Sequence, residues 1–307
     1  MPGRLTPSKR SDVRLTQEVM VEMKDRKVLV VGATGRVGGA AVEELLETGF
    51  EVRALVRSAQ GAERLRKLGA EVAVGDVTRP HTLGPAVQGC FGVFSALGAG
   101  PGRGSSEDVE YKGNLNLLSA ARSAGMEQFV YSSALMADHP QAQKVGPFRE
   151  KARFERELMS TEEISTTVLR PAMFMETLYM MLQGPVAFVP GRQRHPISFI
   201  SARDIASAAV QAFQRKISGR YELAGPETVT FDEAFEQYGK ASGKKIRVLH
   251  VPLAALRLPG WVSPYVRELA DMMALFDAAG YAADPSILGD AFGVSALRLE
   301  EWAGADR

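Results

Sequence analysis

The sequence predicts an α/β protein: a doubly wound parallel sheet of the Rossmann type with a smaller, mostly helical C-terminal lobe. Three observations predict it. The apolar run Val28-Leu29-Val30-Val31 enters a turn with glycines at 32, 35 and 38, followed at once by a helix-like pattern of Ala40, Ala41, Val42, Leu45 and Leu46. β-branched runs and amphipathic runs then alternate as far as Leu169, the pattern of βαβ units in a parallel sheet. Beyond it, Pro171, Pro185, Pro190 and Pro196 break the rhythm and helical patterns dominate.

Each element follows from its residues. Glu51 to Val56 alternates and reads as the second strand. Ala62 to Leu68 reads as a helix stopped by Gly69, and Glu71 to Gly75 as the third strand, ending at Asp76. Thr82 to Val87 is a short helix and Gly92 to Leu97 the fourth strand. Asp108 to Ala124 is a long helix with Leu115, Leu117, Leu118 and Ala121 on its apolar side. Gln128 to Ser133 is the fifth strand, Phe148 to Met159 a helix, and Thr166 to Leu169 the sixth strand. Right-handed crossovers between such units place a ligand at the carboxyl ends of the strands. In the last third, Asp204 to Phe213, Phe231 to Ser242 (capped by Thr230), Leu253 to Leu258 and Tyr265 to Ala279 read as helices, and Gly219 to Ala224 as a further strand. Residues 1–25 combine Arg4, Lys9, Arg10 and Arg14 with Pro2, Gly3 and Pro7, and read as a flexible extension. Asp12, Glu18 and Glu22 argue against organellar targeting. The expected division is an extension over 1–25, a nucleotide-binding domain over 26–170, and a substrate-side lobe over 171–307 interleaved with the sheet.

Bulk properties narrow the function. A net charge of +1 supplies no field for nucleic acid or an anionic membrane surface. No apolar run approaches the roughly 20 residues of a membrane helix. The single cysteine, Cys90, excludes an internal disulfide and fits a cytoplasmic location. The four histidines show no metal-ligand spacing.

The glycine turn carries the first chemistry. Strand, tight turn and helix put a pyrophosphate on the open N–H groups of a helix N-terminus, and a Cβ would block that approach. Gly32, Thr34, Gly35, Arg36, Val37 and Gly38 are therefore expected cofactor contacts. A site for NAD places an acidic residue at the end of the second strand, against the ribose 2′-hydroxyl. Here that place holds Val56-Arg57-Ser58. Arg57 would instead bind a 2′-phosphate bidentately, which points to NADP(H), with Arg36 as a second cation. Asp76, with Val77, is placed to accept from the adenine amine or to serve as N-cap of the following short helix. Ala96, Leu97 and Gly98 should run beneath the dinucleotide. The glycine-rich loop from Gly98 to Ser106 reads as a surface loop, or as a flap over the nicotinamide.

Taken together these stretches resemble the NmrA-like family, an atypical branch of the short-chain dehydrogenase/reductase superfamily. The resemblance runs from Lys27 to Trp302. It is carried by Gly32-Ala33-Thr34-Gly35-Arg36-Val37-Gly38, Gly75-Asp76-Val77, Phe129-Val130-Tyr131-Ser132-Ser133, and Pro147-Phe148-Arg149-Glu150-Lys151 with Glu155. Leu169-Arg170-Pro171-Ala172-Met173-Phe174-Met175-Glu176 and Ser198-Phe199-Ile200-Ser201-Ala202-Arg203-Asp204-Ile205-Ala206 complete it. The resemblance implies NAD(P) binding and a small C-terminal lobe, and adds Ser132, Lys151, Pro171 and Phe174 to the cofactor contacts. Some members reduce quinones or aromatic compounds with NADPH, and others sense the nucleotide without turnover.

The wider superfamily pairs a tyrosine with a lysine four residues on. Here Ser132 and Ser133 stand at the serine position and Lys151 at the lysine position, but Pro147 replaces the tyrosine. Three accounts follow. Lys151 acts as the general acid, a tyrosine such as Tyr179 takes over, or the acceptor needs little acid assistance. The candidate catalytic residues are thus Lys151, Ser133 and Tyr179. The run from Met173 to Leu182 holds four methionines and two aromatics, an adaptable wall for a small apolar or aromatic molecule, although half of it would serve as core. The expected function is an NADPH-dependent oxidoreductase of an apolar carbonyl, quinone or aromatic compound. The alternative is a non-catalytic NADP(H) sensor acting through a protein partner. An epimerase or dehydratase is disfavoured by the missing tyrosine. A homodimer is compatible with the sequence.

Overall fold

A computed structural model describes residues 26–60, 62–99, 104–255, 264–278 and 280–305. The expected extension, residues 100–103 of the glycine-rich loop, and the end of the helix proposed from Leu253 lie outside these residues.

The alternation seen in the sequence becomes β1 (Lys27–Val31), α1 (Arg36–Glu47), β2 (Glu51–Val56), α2 (Glu63–Lys67), β3 (Glu71–Val74), α3 (Gly84–Val87) and β4 (Gly92–Ser95). It continues with α4 (Gly113–Ser123), β5 (Gln128–Ser132), α5 (Gly146–Met159) and β6 (Ser165–Pro171). A later strand, β11 (Gly219–Leu223), joins the same sheet, whose order is β11-β6-β5-β4-β1-β2-β3 with every pair parallel. The order reverses between β1 and β4, so their carboxyl ends open a crevice.

Period-two alternation divides β1 between the two faces. Val28 and Val30 enter one core with Val42 and Leu45 of α1, while Leu29 and Val31 enter the other with Leu117 of α4 and Phe154 of α5. Pro147 is accommodated because it occupies the first turn of α5, where its missing N–H has no helical partner to lose.

The C-terminal region is helical, with α6 (Thr177–Met181), α7 (Ala202–Arg215), α8 (Phe231–Ser242), α9 (Pro264–Ala278), α10 (Ser286–Phe292) and α11 (Leu299–Gly304). It also carries two three-stranded sheets that the sequence reading left out. One joins β12 (Thr228–Val229), β10 (Ile197–Ile200) and β7 (Met173–Phe174). The other joins β13 (Arg247–Val251), β9 (Val186–Pro190) and β8 (Leu182–Gln183). These strands have two to five residues. Runs so short hold too few repeats to display a period.

α7 is anchored by a capping box. Ser201 Oγ accepts from Asp204 N at 3.0 Å, while Asp204 Oδ2 accepts from Ser201 N at 3.4 Å and from Leu297 N at 3.2 Å. Burial of Asp204 outweighs these bonds and pushes its carboxyl up from 3.8 to about 6. A carboxyl whose folded value is raised contributes stability below its unfolded value and loses it as pH rises through the folded one. Relative to Asp204→Asn, the wild type should therefore lose on the order of 3 kcal/mol of unfolding free energy between roughly pH 4 and pH 7. Denaturant melts of both proteins across that range test this, and a constant difference between them would refute it.

Candidate functional site

The crevice between β1 and β4 is shaped by glycines. Gly32 leaves β1 with φ +85°, and a Cβ there would lie 2.4 Å from the Ala96 carbonyl oxygen at the end of β4. A Cβ on Gly38 would lie 2.2 Å from the Gly32 oxygen. Both positions therefore exclude any side chain, and α1 starts directly against the strand end. Gly35 is the N-cap of α1, with no side-chain cap and no acidic residue in the first turn. The helix N-terminus is thus left to meet an anion.

Two clefts meet over this turn. The first is open to solvent, spans about 660 Å³ and is lined by Gly32, Thr34, Gly35, Arg57, Asp76 and Val77, with Ala96, Leu97 and Gly98 also on its lining. The second is open to solvent, spans about 1760 Å³ and shares Gly35, Ala96, Leu97 and Gly98 with the first. Arg36, Val37, Ser132, Ser133, Lys151, Pro171 and Phe174 also line it. Gly38 lies beneath the turn, buried in α1. The structure therefore brings most of the expected cofactor contacts along one continuous groove at the carboxyl edge of the sheet.

Arg57 follows β2 directly, with its side chain exposed at the first cleft. Across from it, Asp76 Oδ1 accepts from the N–H and hydroxyl of Thr78 at 2.9 and 2.8 Å. Burial works against ionisation of Asp76, but these bonds, with Arg79 and Arg57, hold its carboxyl below the usual range. Asp76 thus braces the turn at Thr78, but the expectation that it caps the following short helix is corrected: the helical turn Pro80–Thr82 has Arg79 as its N-cap and α3 has Leu83, neither with a side-chain cap bond. Oδ2 takes no part in either Thr78 bond. Arg36 reaches the second cleft, where its Nη1 lies 3.4 Å from Met180 Sδ.

Lys151 projects from α5 onto the floor where the clefts join. Its Nζ donates to the carbonyls of Leu97 at 3.3 Å and Ser132 at 3.5 Å, and stands 3.6 Å from Glu110 Oε2. The Tyr131 ring lies beneath, 5.6 Å from Nζ. Tyr131 is fully buried within β5, and burial pushes its phenol well above the usual value, so it has no route to a substrate proton. Ser133 donates its hydroxyl proton to Glu155, which Arg170 grips through Nε at 3.0 Å and Nη2 at 2.6 Å. Asp138 holds Arg170 from its other side at 3.0 Å. Toward the cleft, Ser133 thus offers an acceptor rather than a donor.

The expectation that Tyr179 supplies a proton is corrected. On α6, Thr177, Met180 and Met181 share the face toward the second cleft, as spacings of three and four residues require. Tyr179 points elsewhere, its ring 4.7 Å from that of Trp302 and 6.0 Å from that of Tyr238. Among the described residues, the phenol lining the second cleft is that of Tyr281. The methionine run divides in the same way. Met173, Met180 and Met181 line the cleft, whereas Met175 and Leu178 are fully buried core.

Sequence reasoning missed Glu110 and the far wall, formed by Leu269, Met272, Met273 and Phe276 of α9. Gln193 and Asp277 clamp that wall: Gln193 Nε2 donates to the Met273 carbonyl at 2.8 Å, and Asp277 Oδ1 accepts from Gln193 N at 2.5 Å. α9 reads as an ordinary amphipathic helix, and nothing local announces which face meets a cavity. No helix among the described residues is long and apolar enough to cross a membrane.

A model of the NmrA-like family matches residues 24–306. The chain is 29% identical over 239 residues to the photosystem II assembly factor Ycf39 of Synechocystis sp., covering 75% of this chain and 72% of that protein. It is 29% identical over 253 residues to the NAD(P)H azoreductase of Xenophilus azovorans, covering 80% and 84%. The NADPH-dependent quinone oxidoreductase QOR2 of Escherichia coli, solved in complex with NADPH, superposes with a TM-score of 0.74 at 24% identity, over 91% of this chain and 99% of that one.

Proposed function

The chain belongs to the NmrA-like family, and from that premise we propose that it is an NADPH-dependent reductase of apolar or aromatic acceptors, quinones and azo compounds foremost. The observation that carries the proposal is the continuity of the two clefts through Gly35, Ala96, Leu97 and Gly98. A dinucleotide lying in the first cleft would present its nicotinamide end to the second.

The residues present fit NADP(H). Glycine at 32 and 38 lets β1, the end of β4 and α1 meet backbone to backbone, which brings the uncapped N-terminus of α1 to the edge of the first cleft, where a pyrophosphate would accept from its open N–H groups. Arg57 would bind the 2′-phosphate and Asp76 the adenine side. Lys151, with the carbonyls of Leu97 and Ser132, would hold the nicotinamide ribose. When bound, NADPH supplies a hydride. Residues 26–170 would carry the nucleotide, and residues 171–307 would build the acceptor side while returning β11 to the sheet.

The lining also favours the acceptor class. Methionines 173, 180, 181, 272 and 273, with Phe148, Phe174, Phe188 and Phe276, make a pliable apolar wall suited to flat rings. With proline in place of the usual tyrosine, Lys151 is the side chain we assign as proton donor at the cleft junction. Such a site suits acceptors whose developing charge is delocalised over conjugated oxygen or nitrogen, since these depend less on an acid than a simple aldehyde does. An apolar cleft beside the nicotinamide end favours turnover over the nucleotide-sensing alternative.

The test is NADPH oxidation, followed by its absorbance, across quinones, azo compounds, enones and aldehydes. Quinones and azo compounds should be reduced at least about tenfold faster than aldehydes in kcat/KM. A panel silent throughout, with NADPH bound, would overturn the reductase reading in favour of a sensor.

A further inference from the structure

We propose that Glu110 is a positioning residue for Lys151, anchoring its ammonium at the junction of the two clefts. The proposal rests on the reading of Lys151 as the group that meets cofactor and acceptor. Glu110 belongs to the π-helical turn Glu107–Lys112 that leads into α4. Such turns shift side chains out of α-helical register and recur at functional sites.

Glu110 is 3% exposed. Its Oε1 accepts from the backbone N–H of Ala99, on the lining of the second cleft, at 2.7 Å. Its Oε2 has no hydrogen-bond partner among the described residues and stands 3.6 Å from Lys151 Nζ. A buried carboxylate oxygen without a bond is costly, and an adjacent ammonium offsets that cost. The two carbonyl bonds to Lys151 are long, and the gap to Glu110 exceeds a hydrogen bond. The ammonium is therefore held by charge and two long carbonyl bonds, which leaves its third N–H available to a hydroxyl in the cleft. Gln at this position would keep an acceptor for Ala99 and remove the charge.

The groups facing Glu110 are Lys151 from α5, Glu268 from α9 and the buried phenol of Tyr131 from β5. Burial pushes the Glu110 carboxyl up, Lys151 and the Ala99 N–H pull it back, and Glu268 adds to the rise. Glu268 is itself held at Ser106 Oγ, at 2.8 Å.

The experiment measures NADPH affinity in wild type, Glu110→Gln, Lys151→Met and the double variant, with the pH profile of kcat/KM on a quinone. Each single variant should weaken NADPH about tenfold, and the double should be no more than about twofold worse than the weaker single. The alkaline limb of the Glu110→Gln profile should move to lower pH. Losses that multiply to about 100-fold in the double variant would overturn the proposal, as would Glu110→Gln with wild-type affinity and profile. If Glu110→Gln fails to fold, Glu110→Asp replaces it. Retention of the wild-type alkaline limb supports the anchoring charge, and its displacement overturns it. A silent acceptor panel with a coupled affinity cycle would overturn the reductase reading alone, whereas an active panel with an uncoupled cycle would overturn only the role of Glu110.

Discussion

With Arg57 replaced by glutamate, NADPH should bind about 10²- to 10³-fold more weakly, while NADH stays within about threefold of wild type. The guanidinium follows the last residue of β2 and opens onto the first cleft. There it would make charge-assisted, bidentate bonds to a 2′-phosphate, each worth about 1.5–3 kcal/mol. A carboxylate at that place repels the phosphate and can accept from a 2′-hydroxyl, so the variant both loses one ligand and tolerates the other. Asp76 should feel the change as well, since Arg57 helps to keep it ionised. Titration of both nucleotides against both proteins tests the assignment. Wild type that prefers NADH, or a preference that Arg57→Glu leaves unmoved, would sink it.

Lys151→Met should lower kcat/KM for quinone reduction by about 10²- to 10³-fold, the scale on which a positioned proton donor acts. Methionine keeps the length and apolar stem of the side chain but removes every donor. The variant leaves Glu110 without its counter-charge in a buried place, which costs about 3–5 kcal/mol when one partner of such a pair is deleted. A fall in melting temperature should therefore accompany the loss of turnover, and Lys151→Arg separates the two effects by restoring charge without the same geometry. Wild-type kcat in a folded Lys151→Met protein would remove Lys151 from the chemistry.

Much of the site was legible because it is built from backbone. The turn from Gly32 to Gly38 can be read from three residue types, since only glycine tolerates the φ of Gly32 and the contact between Gly38 and the Gly32 oxygen. Arg57 was legible because its distance from the turn is fixed by one helix and one strand. Tyr179 was misread for the opposite reason. It sits in the right segment, but a helix rotates each residue by about 100°, so a neighbour of two cleft-facing methionines can face the core instead. Glu110 escaped notice because a glutamate in a helical run reads as a solvated residue, and only the packed structure shows it buried beside Lys151.

The sequence by itself determined the parallel sheet, the glycine cradle at the end of β1, the cation that follows β2 and the absence of the usual tyrosine before Lys151. These are local properties, written in period, glycine spacing and position along a βα unit. The tertiary structure alone decided that Glu110 and Lys151 share one buried junction, that Glu155 holds the Ser133 proton, and that α9 walls the second cleft. Those contacts join residues far apart in the chain, and the three-dimensional packing of helices on the sheet, rather than any local pattern, sets which side chains meet.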